Sequence, residues 1–161
     1  MLNTQPPNRA NEFYAAHIRL LLESYRRLLH RPLLDAEARS SAAEQIYTGG
    51  FALLSHNADD DPVFNYANGT AMQLFEMSWR EIIGMPSRLS AEPVARDERE
   101  RLLAEVTALG YIENYTGVRI AKSGKRFMIQ NAVVWNVYDH EQNFYGQAAC
   151  FKNWVFLPAV T

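Results

Sequence analysis

The sequence predicts an α+β fold, in which a five-stranded antiparallel sheet carries short helices on one face and is preceded by N-terminal helices. Two short strand patterns lie early in the chain and are followed by several capped helix patterns, whereas the final third contains three successive strand patterns. The short polar turns between these last strands favour a meander over crossover connections. The 161 residues are 48% hydrophobic and 21% charged, so they can enclose one core.

The first element is a helix with an apolar stripe that repeats at alternating spacings of four and three residues. The stripe consists of Tyr14, Ile18, Leu21, Tyr25 and Leu28. Asn11 is expected to cap the start of this helix, and Pro32 is expected to stop it. Leu20, Leu22 and Leu29 broaden the apolar surface beyond one narrow seam.

A stripe of this breadth indicates two contacts for the N-terminal helix. One side is expected to lie on the chain's own sheet, while the other meets a partner protein or the same helix of a second subunit in a twofold dimer. The alternative is that the whole stripe packs within the monomer. If the dimer forms, a charge at Leu21 is expected to dissociate it without unfolding the domain.

Two further elements complete the first half of the chain. Residues 35–47 are rich in alanine and predict a second helix, which Gly49 or Gly50 closes. Residues 51–56, FALLSH, predict the first strand.

The stretch PVFNYANGTAMQLFEMSWREIIGMPS, residues 62–87, changes its periodicity twice. Residues 63–66 predict a short strand, after which Thr70 is expected to cap a short helix. Ser78 and Glu81 form a capping box for a second short helix. Gly84 supplies the left-handed residue that ends this second helix. One strand is therefore followed by two short, separately capped helices.

The second half begins with the third strong helix pattern, at residues 96–109, which Gly110 ends. Its apolar side is expected to carry Leu102, Leu103, Val106 and Leu109. Three strands then follow at residues 111–121, 125–138 and 143–156.

The face on which Arg119 lies depends on the register of the hairpin between the first two of these strands. If Ser123 and Gly124 form a two-residue turn, Arg119 points outward, and the apolar pattern favours this register. If the loop has three residues with Gly124 in a bulge, Arg119 joins the face of Phe127. An inward arginine then needs an anionic partner, either a protein carboxylate or a ligand carboxylate.

Several segments together resemble the MEKHLA domain. They are FNYAN, SRLSAEP, SGKRF, NAVVW and FKNW, and the likeness covers most of residues 48–157. We therefore divide the chain into an N-terminal helical extension, residues 1–47, and a MEKHLA domain, residues 48–157. MEKHLA domains are related to PAS domains, so the resemblance implies a PAS-like sensor architecture. They occur alone in bacterial proteins and at the end of certain plant homeodomain leucine-zipper regulators, but no homeodomain pattern is present here.

The resemblance implies a non-catalytic sensory or regulatory role, with any small ligand held between the helical layer and the sheet. The candidate ligand-binding residues are Phe64, Tyr66, Leu74, Phe75, Ile129, Asn131, Val133 and Ala148. Asn131 is the polar member expected to orient a ligand, and its plainer role is a satisfied amide in the core.

Known PAS cofactors are not expected. Flavin photoreceptors of the PAS class need a cysteine on the helical side of the pocket, whereas the single thiol, Cys150, lies on the last predicted strand. Their flavin-recognising asparagines correspond to Arg119 and Ile129 here. Haem-binding relatives need an axial histidine on the long helix, where SAEPVARDERERLLAEV has none.

Catalytic and metal-binding patterns have plainer explanations. His56, Asp59, Asp60 and Asp61 match no calcium or zinc spacing, and acidic residues before a strand are usually solvated turn formers. The acids of RDERERLLAE alternate with arginines, as in ion pairs on a helix surface. No glycine-rich phosphate loop or nucleophile elbow is present. We therefore expect neither an enzyme nor a metal site.

The charge balance and the single cysteine indicate the environment of the protein. The net charge is −2 and the isoelectric point is about 6.1, which gives no support for binding to nucleic acid. One cysteine, a polar start without a signal-peptide pattern and the absence of a long apolar run favour a cytoplasmic protein that does not enter a membrane.

Two classes of function remain open. In the first, a pocket between the sheet and the short helices holds a small molecule, whose binding shifts the sheet or the terminal helix between states. In the second, side chains of the protein fill that space, and the sheet or the N-terminal helix binds a protein partner. The aromatic residues suit either class, because core packing is their default role.

Overall fold

Every pair of neighbouring strands in the sheet is antiparallel. The computed structural model describes residues 4–35 and 41–159. Its helices are α1 (Ala15–Leu29), α2 (Ala42–Thr48), α3 (Gly69–Phe75), α4 (Trp79–Ile82) and α5 (Pro93–Leu109). Its strands are β1 (Ala52–Asn57), β2 (Phe64–Ala67), β3 (Tyr111–Ile120), β4 (Arg126–Tyr138), β5 (Phe144–Phe151) and β6 (Asn153–Phe156). The strand order in the sheet is β2-β1-β5-β4-β3. The predicted α+β fold is confirmed.

The last predicted strand is divided in two at Lys152. Its two parts, β5 and β6, pair with successive stretches of the long strand β4. Cys150 of β5 lies opposite Val133, and Asn153 of β6 lies opposite Gln130. The two pieces therefore form one interrupted strand, and the core of the sheet keeps the predicted five strands.

Helices cover both faces of the sheet. We call the face beneath α3, α4 and α5 the inner face, which carries Leu54, Phe127 and Val134. The opposite, outer face carries Leu53 and Trp135 beneath α1 and α2. Neighbouring residues of one strand therefore contact different helical layers, as the twofold alternation of a strand requires.

Helix α1 is fastened to β4 by two hydrogen bonds as well as by apolar packing. The indole Nε1–H of Trp135 donates to the Leu21 carbonyl at 3.0 Å. The backbone N–H of Tyr138 donates to Ser24 Oγ at 2.9 Å. Leu21 is only 1% exposed within its own chain, so the expectation that a charge there would leave the domain folded is wrong.

The ends of the N-terminal helices differ from the predicted ones. Asn8, rather than Asn11, caps a 3-10 turn at Arg9–Tyr14 that precedes α1, and α1 ends at His30 in a left-handed conformation. Helix α2 begins at Ala42 behind the N-cap Ser41. Of the longer helix predicted here, residues 36–40 lie outside the described part of the chain.

Asn68 caps α3 in place of the predicted Thr70. Its Oδ1 accepts hydrogen bonds from the N–H groups of Leu53 and Ala71, both at 3.0 Å. Its Nδ2 donates to the carbonyls of Ile46 and Phe51 at 2.9 and 2.7 Å. The oxygen and the nitrogen of this buried amide therefore each make two hydrogen bonds, and all four partners are backbone groups.

The remaining helix signals show one departure. The capping box of Ser78 and Glu81 is confirmed, and Gly84 has the expected positive φ of 88°. Helix α5 begins at Pro93, a residue that suits the first turn because it lacks an N–H. Leu109 is 68% exposed and does not belong to the apolar side of that helix. Within residues 4–35 and 41–159, no helix is long and apolar enough to cross a membrane.

Asn68→Ala is expected to lower the free energy of unfolding by about 3 kcal/mol or more, because four buried backbone groups lose their partner. Urea denaturation followed by tryptophan fluorescence measures this change. The matched control is Asn143→Ala, in the exposed turn between β4 and β5, with an expected change below about 0.5 kcal/mol. Equal losses in the two variants would contradict the role assigned to Asn68.

Candidate ligand-binding site

The hairpin between β3 and β4 turns Arg119 toward the inner face. Arg119 lies opposite Phe127, and the loop has three residues between Ala121 and Lys125. Gly124 takes a φ of 91°, which suits the bulged form of this hairpin. The two-residue turn favoured by the apolar pattern is therefore wrong, and the alternative register is the one observed.

A second irregularity reverses the faces further along β4. Ile129 pairs with Gly117 and Ala132 pairs with Tyr115, so a stretch of three residues along β4 lies opposite a stretch of two along β3. The extra residue is absorbed at Asn131, whose φ is 53°. Residues beyond this bulge therefore face opposite to the simple alternation.

A cavity of about 80 Å³ lies on the inner face, between the sheet, α5, α3 and the 3-10 turn Ser87–Ser90. Its apolar lining is Leu54, Phe64, Phe75, Leu102, Leu103, Ile129, Val134, Ala148, Ala149 and Phe151. Its polar lining is Ser55, His56, Ser87, Ser90, Arg99, Tyr115, Arg119 and Gln147. The wall is therefore mostly apolar, with two arginines set into it.

Half of the predicted ligand-binding residues line this cavity. They are Phe64, Phe75, Ile129 and Ala148. Leu74 is buried in the inner-face core but does not line the cavity.

The other three predicted residues lie elsewhere, because bulges change the face on which they stand. Asn131 is exposed, and Val133 packs in the outer-face core as a result of the same bulge. Tyr66 is also in the outer-face core, because the register between β1 and β2 shifts after its pairing with Ser55. The placement of these three at the cavity is wrong.

Arg119 is held by two neighbours from its own strand. Its Nη1 donates to the Val118 carbonyl at 2.9 Å, and its Nη2 donates to the Tyr115 hydroxyl at 3.2 Å. The Tyr115 ring crosses Gly117, where a Cβ would lie 2.2 Å from the tyrosine oxygen. Glycine at this position therefore makes room for the contact between Tyr115 and Arg119.

Arg99 reaches the cavity from α5 and donates through Nη2 to Ser87 Oγ. It is 5% exposed and Arg119 is 8% exposed. Burial, followed by the charge of Arg119, lowers the pKa of Arg99 to about 10, which still leaves it protonated at neutral pH. Two positive charges therefore line one small cavity.

No carboxylate of the described residues forms a salt bridge with either arginine. Glu98 accepts a hydrogen bond from the Tyr115 hydroxyl at 3.1 Å and thus lies one side chain away from Arg119. Asp61 and Glu100 act on Arg99 only through longer-range attraction. The two guanidinium groups are therefore incompletely compensated by the protein.

Comparison with known proteins identifies the family. The family model for the MEKHLA domain matches residues 15–156. This chain belongs to the MEKHLA family. The homeobox-leucine zipper protein HOX9 of Oryza sativa subsp. indica is 24% identical over 106 residues, which are 66% of this chain. The chain spans 13% of the length of that relative.

Solved structures similar to this MEKHLA chain have the PAS fold. The PAS domain of a protein from Colwellia psychrerythraea gives a TM-score of 0.59 at 15% identity, covering 67% of this chain and 89% of that one. The light-state dimer of the fungal blue-light photoreceptor Vivid gives 0.55 at 13% identity, covering 80% and 91%. The predicted PAS-like architecture and the predicted family are both confirmed.

A buried polar chain runs from Arg99 across the MEKHLA cavity. His56 Nδ1 lies 3.0 Å from Ser87 Oγ, and its Nε2 lies 3.0 Å from Gln147 Oε1. Because an amide oxygen only accepts, Nε2 carries the proton and Nδ1 accepts from the serine hydroxyl. Gln147 Nε2 in turn donates to Asn136 Oδ1 at 3.1 Å. Burial lowers the pKa of His56 to about 4, so the chain holds this histidine in its neutral form at neutral pH.

A surface pocket of about 300 Å³ adjoins the cavity at the turn between β1 and β2. The two spaces share His56, Arg99, Leu103 and Gln147 as lining residues. These four side chains therefore form a shared wall between the cavity and the surface pocket.

The polar residues of the cavity other than Arg119 were missed by sequence reasoning, although signals for two of them exist. His56 continues the inward alternation of Ala52 and Leu54 along β1. Arg99 lies three residues before Leu102 and seven before Val106, on the buried side of α5. Their polarity made them look like surface residues, whereas their spacing placed them inside.

Cys150 and the histidines offer no metal centre among the residues that the structure describes. Cys150 packs in the outer-face core, across the sheet from the cavity, and burial raises the pKa of its thiol to about 12. Its thiol is therefore kept in the unreactive protonated form.

The stability of the folded protein is expected to fall by about 2 kcal/mol through His56 alone between about pH 7 and about pH 5. Burial lowers the pKa of His56 to about 4, so only the unfolded state takes up its proton in this range. His17 of α1 is half-buried, desolvation lowers its pKa to about 4 as well, and it adds to the same slope.

Urea denaturation across this pH range, for wild type and His56→Gln, measures the contribution. The variant removes the His56 share of the slope and retains the His17 share. A slope that is identical in the two proteins would show that His56 is not buried in the neutral form.

Proposed function

We propose that this chain is a non-catalytic sensory or regulatory module, in which a small molecule bound in the inner-face cavity changes how α1 is held on the outer face. Residues 1–47 act as the output extension of a sensor domain at residues 48–157. Ser87 and His56 are hydrogen-bonded at the cavity, but burial lowers the pKa of His56 to about 4, which makes it a weak base, and Ser87 Oγ also accepts from Arg99. These contacts support a binding role over a catalytic one. We place this activity in the cytoplasm.

The observation that carries the proposal is that neighbouring residues of the same strands contact the cavity and α1. On β4, Val134 lines the cavity, while the next residue, Trp135, donates to the Leu21 carbonyl of α1. A shift of β4 on the inner side is therefore transmitted directly to α1.

Strand β1 repeats this arrangement. His56 lines the cavity, and the preceding residue, Ser55, lies 2.9 Å from His17 Nε2 of α1 through its Oγ. His17 Nδ1 also lies 3.1 Å from the hydroxyl of Tyr145 on β5. Three strands that surround the cavity or flank it thus hold the same helix by polar contacts.

The size of the cavity is consistent with a small ligand and does not suit a flavin. Pockets for drug-sized molecules occupy about 300–1,000 Å³, several times the space present here. Cys150 also lies on the wrong face for attack on a bound cofactor. We therefore propose that the module works without flavin or haem.

A thermal-shift screen of small metabolites, together with native mass spectrometry of the purified protein, tests for a ligand. A ligand is expected to raise the melting temperature and to change hydrogen exchange of the α1 amides near Leu21. Trp135→Phe is expected to retain binding but to reduce the effect on α1, because its bond to Leu21 is lost. If no molecule binds, the protein is instead an interaction module with a self-filled core.

We also propose that α1 contacts a second copy of the chain. Its apolar stripe is largely used by its own sheet, but Leu20 and Leu22 are only half-buried there. One solved structure with a similar fold, that of Vivid in its light state, is a dimer. We assign the contact with a partner to Leu20 and Leu22, which are half-buried, as is Leu28.

Light scattering during size-exclusion chromatography is expected to show a dimer at tens of micromolar. The double variant Leu20→Lys, Leu22→Lys is expected to be a folded monomer, because the lysine stems stay at the surface while their charges oppose association. Leu21→Lys is the contrasting control and should unfold the domain. A monomeric wild type would refute this role of α1.

A further inference from the structure

We propose, resting on the ligand-sensing function above, that the cavity binds a short-chain monocarboxylate. The carboxylate lies between Arg99 and Arg119, and its hydrocarbon part lies against the apolar wall near Phe75, Ile129 and Phe151. The proposal combines three features of the cavity, which are its uncompensated charge, its free hydrogen-bond donors and its size.

The uncompensated charge comes from two guanidinium groups in the same small space. Arg99 and Arg119 are both buried, and no carboxylate of the described chain pairs with them. His56 is neutral in its hydrogen-bond chain, so it neither balances nor adds to the two positive charges. Buried charges are normally paired with an opposite charge, so a bound anion would stabilise the two arginines.

The hydrogen-bonding capacity of the arginines is also largely unused. A guanidinium carries five N–H donors. Arg99 uses one of its nitrogens, on Ser87, and Arg119 uses two, on Val118 and Tyr115. Among the described residues the other donors find no acceptor, and a carboxylate matches the planar fork of a guanidinium in geometry and charge.

The size and lining of the cavity restrict the rest of the ligand. A volume of about 80 Å³ is near half of the engineered lysozyme cavity of about 150 Å³ that takes benzene. Most of the remaining wall is apolar, and its polar side chains Ser55, His56, Ser90 and Gln147 already hydrogen-bond within the protein, so a second charged or hydroxyl group would have to compete with these bonds. Acetate, propionate and butyrate fit these limits, whereas phosphate would leave oxygens against hydrocarbon.

Sodium propionate is the probe, measured by isothermal titration calorimetry and by the melting temperature at constant ionic strength. Saturable binding is expected, with an increase in melting temperature. Propionamide, which has nearly the same shape without the charge, is expected to bind at least tenfold more weakly. Inorganic phosphate and sodium chloride at the same ionic strength are expected to have no saturable effect.

Arg99→Met and Arg119→Met are each expected to weaken propionate binding at least tenfold. Without propionate, neither variant should melt below wild type, because each removes a buried charge without a paired carboxylate. Arg101→Met is the matched control, since Arg101 is exposed on the same helix, and it should bind propionate as wild type does. Methionine variants that melt several degrees lower and still bind propionate would assign the arginines a structural role and overturn the proposal.

The outcomes separate this proposal from the sensory function on which it rests. If native mass spectrometry finds another molecule in the cavity and propionate binds no better than propionamide, the sensory function stands and the carboxylate assignment is wrong. If propionate binds through both arginines but hydrogen exchange of α1 is unchanged, the site is correct and the coupling to α1 is wrong. If nothing binds, both are overturned.

Discussion

The buried amide of Asn68 is the contact on which the arrangement of sheet and helices depends. It binds backbone groups of α2, of the segment entering β1, of β1 itself and of α3. The Ile46 carbonyl and the Ala71 N–H lie at helix ends, and Leu53 lies one residue beyond the paired part of β1 and β2, so these groups need a partner outside the regular hydrogen-bond ladders. One side chain thus sets where α3 begins on the inner face, and the position of Phe75 at the end of α3, in the cavity wall, follows from that start.

Strand irregularities decide which residues reach the cavity. In a regular strand, Ile129 and Val133 would share a face, but the bulge at Asn131 sends Val133 outward and brings Val134 inward. The same shift places Trp135 outward, where it holds α1. The bulge therefore determines which residues of β4 face the cavity and which face α1. Without it, the residues after Asn131 would exchange these two faces.

Sequence patterns predicted the secondary elements well because those elements follow local rules. The capping box at Ser78 and the stops at Gly84 and Gly110 depend on nearby backbone groups, which the sequence displays directly. The cap bond of Asn68 to Ala71 is equally local, so Asn68 and Thr70 were both possible caps, and the contacts that fix Asn68, on α2 and β1, are distant in sequence. Neighbouring residues alone do not show which of Asn68 and Thr70 is the N-cap of α3.

The cavity was less predictable because its residues are set by register rather than by composition. Arg119 required a choice between two hairpin loops, and the apolar pattern favoured the wrong one. Tyr66, Asn131 and Val133 were misplaced by extra residues in the strands, which have no strong local signature other than an asparagine able to take a positive φ at residue 131.

The inward register of Arg119 carries a free-energy cost that packing alone does not explain. The outward register would have left its guanidinium in water, yet the bulged loop places it beside Arg99 in a mostly apolar space. A sequence selected only for stability would favour an apolar residue at either position. Local rules of this kind are broken mainly at functional sites, and Gly117 shows that the surroundings are adapted to the exception, because a larger residue there would displace Tyr115 from Arg119. The sheet thus holds an unpaired charge on one face and a helix on the other, which is the arrangement that the proposed ligand-sensing function requires.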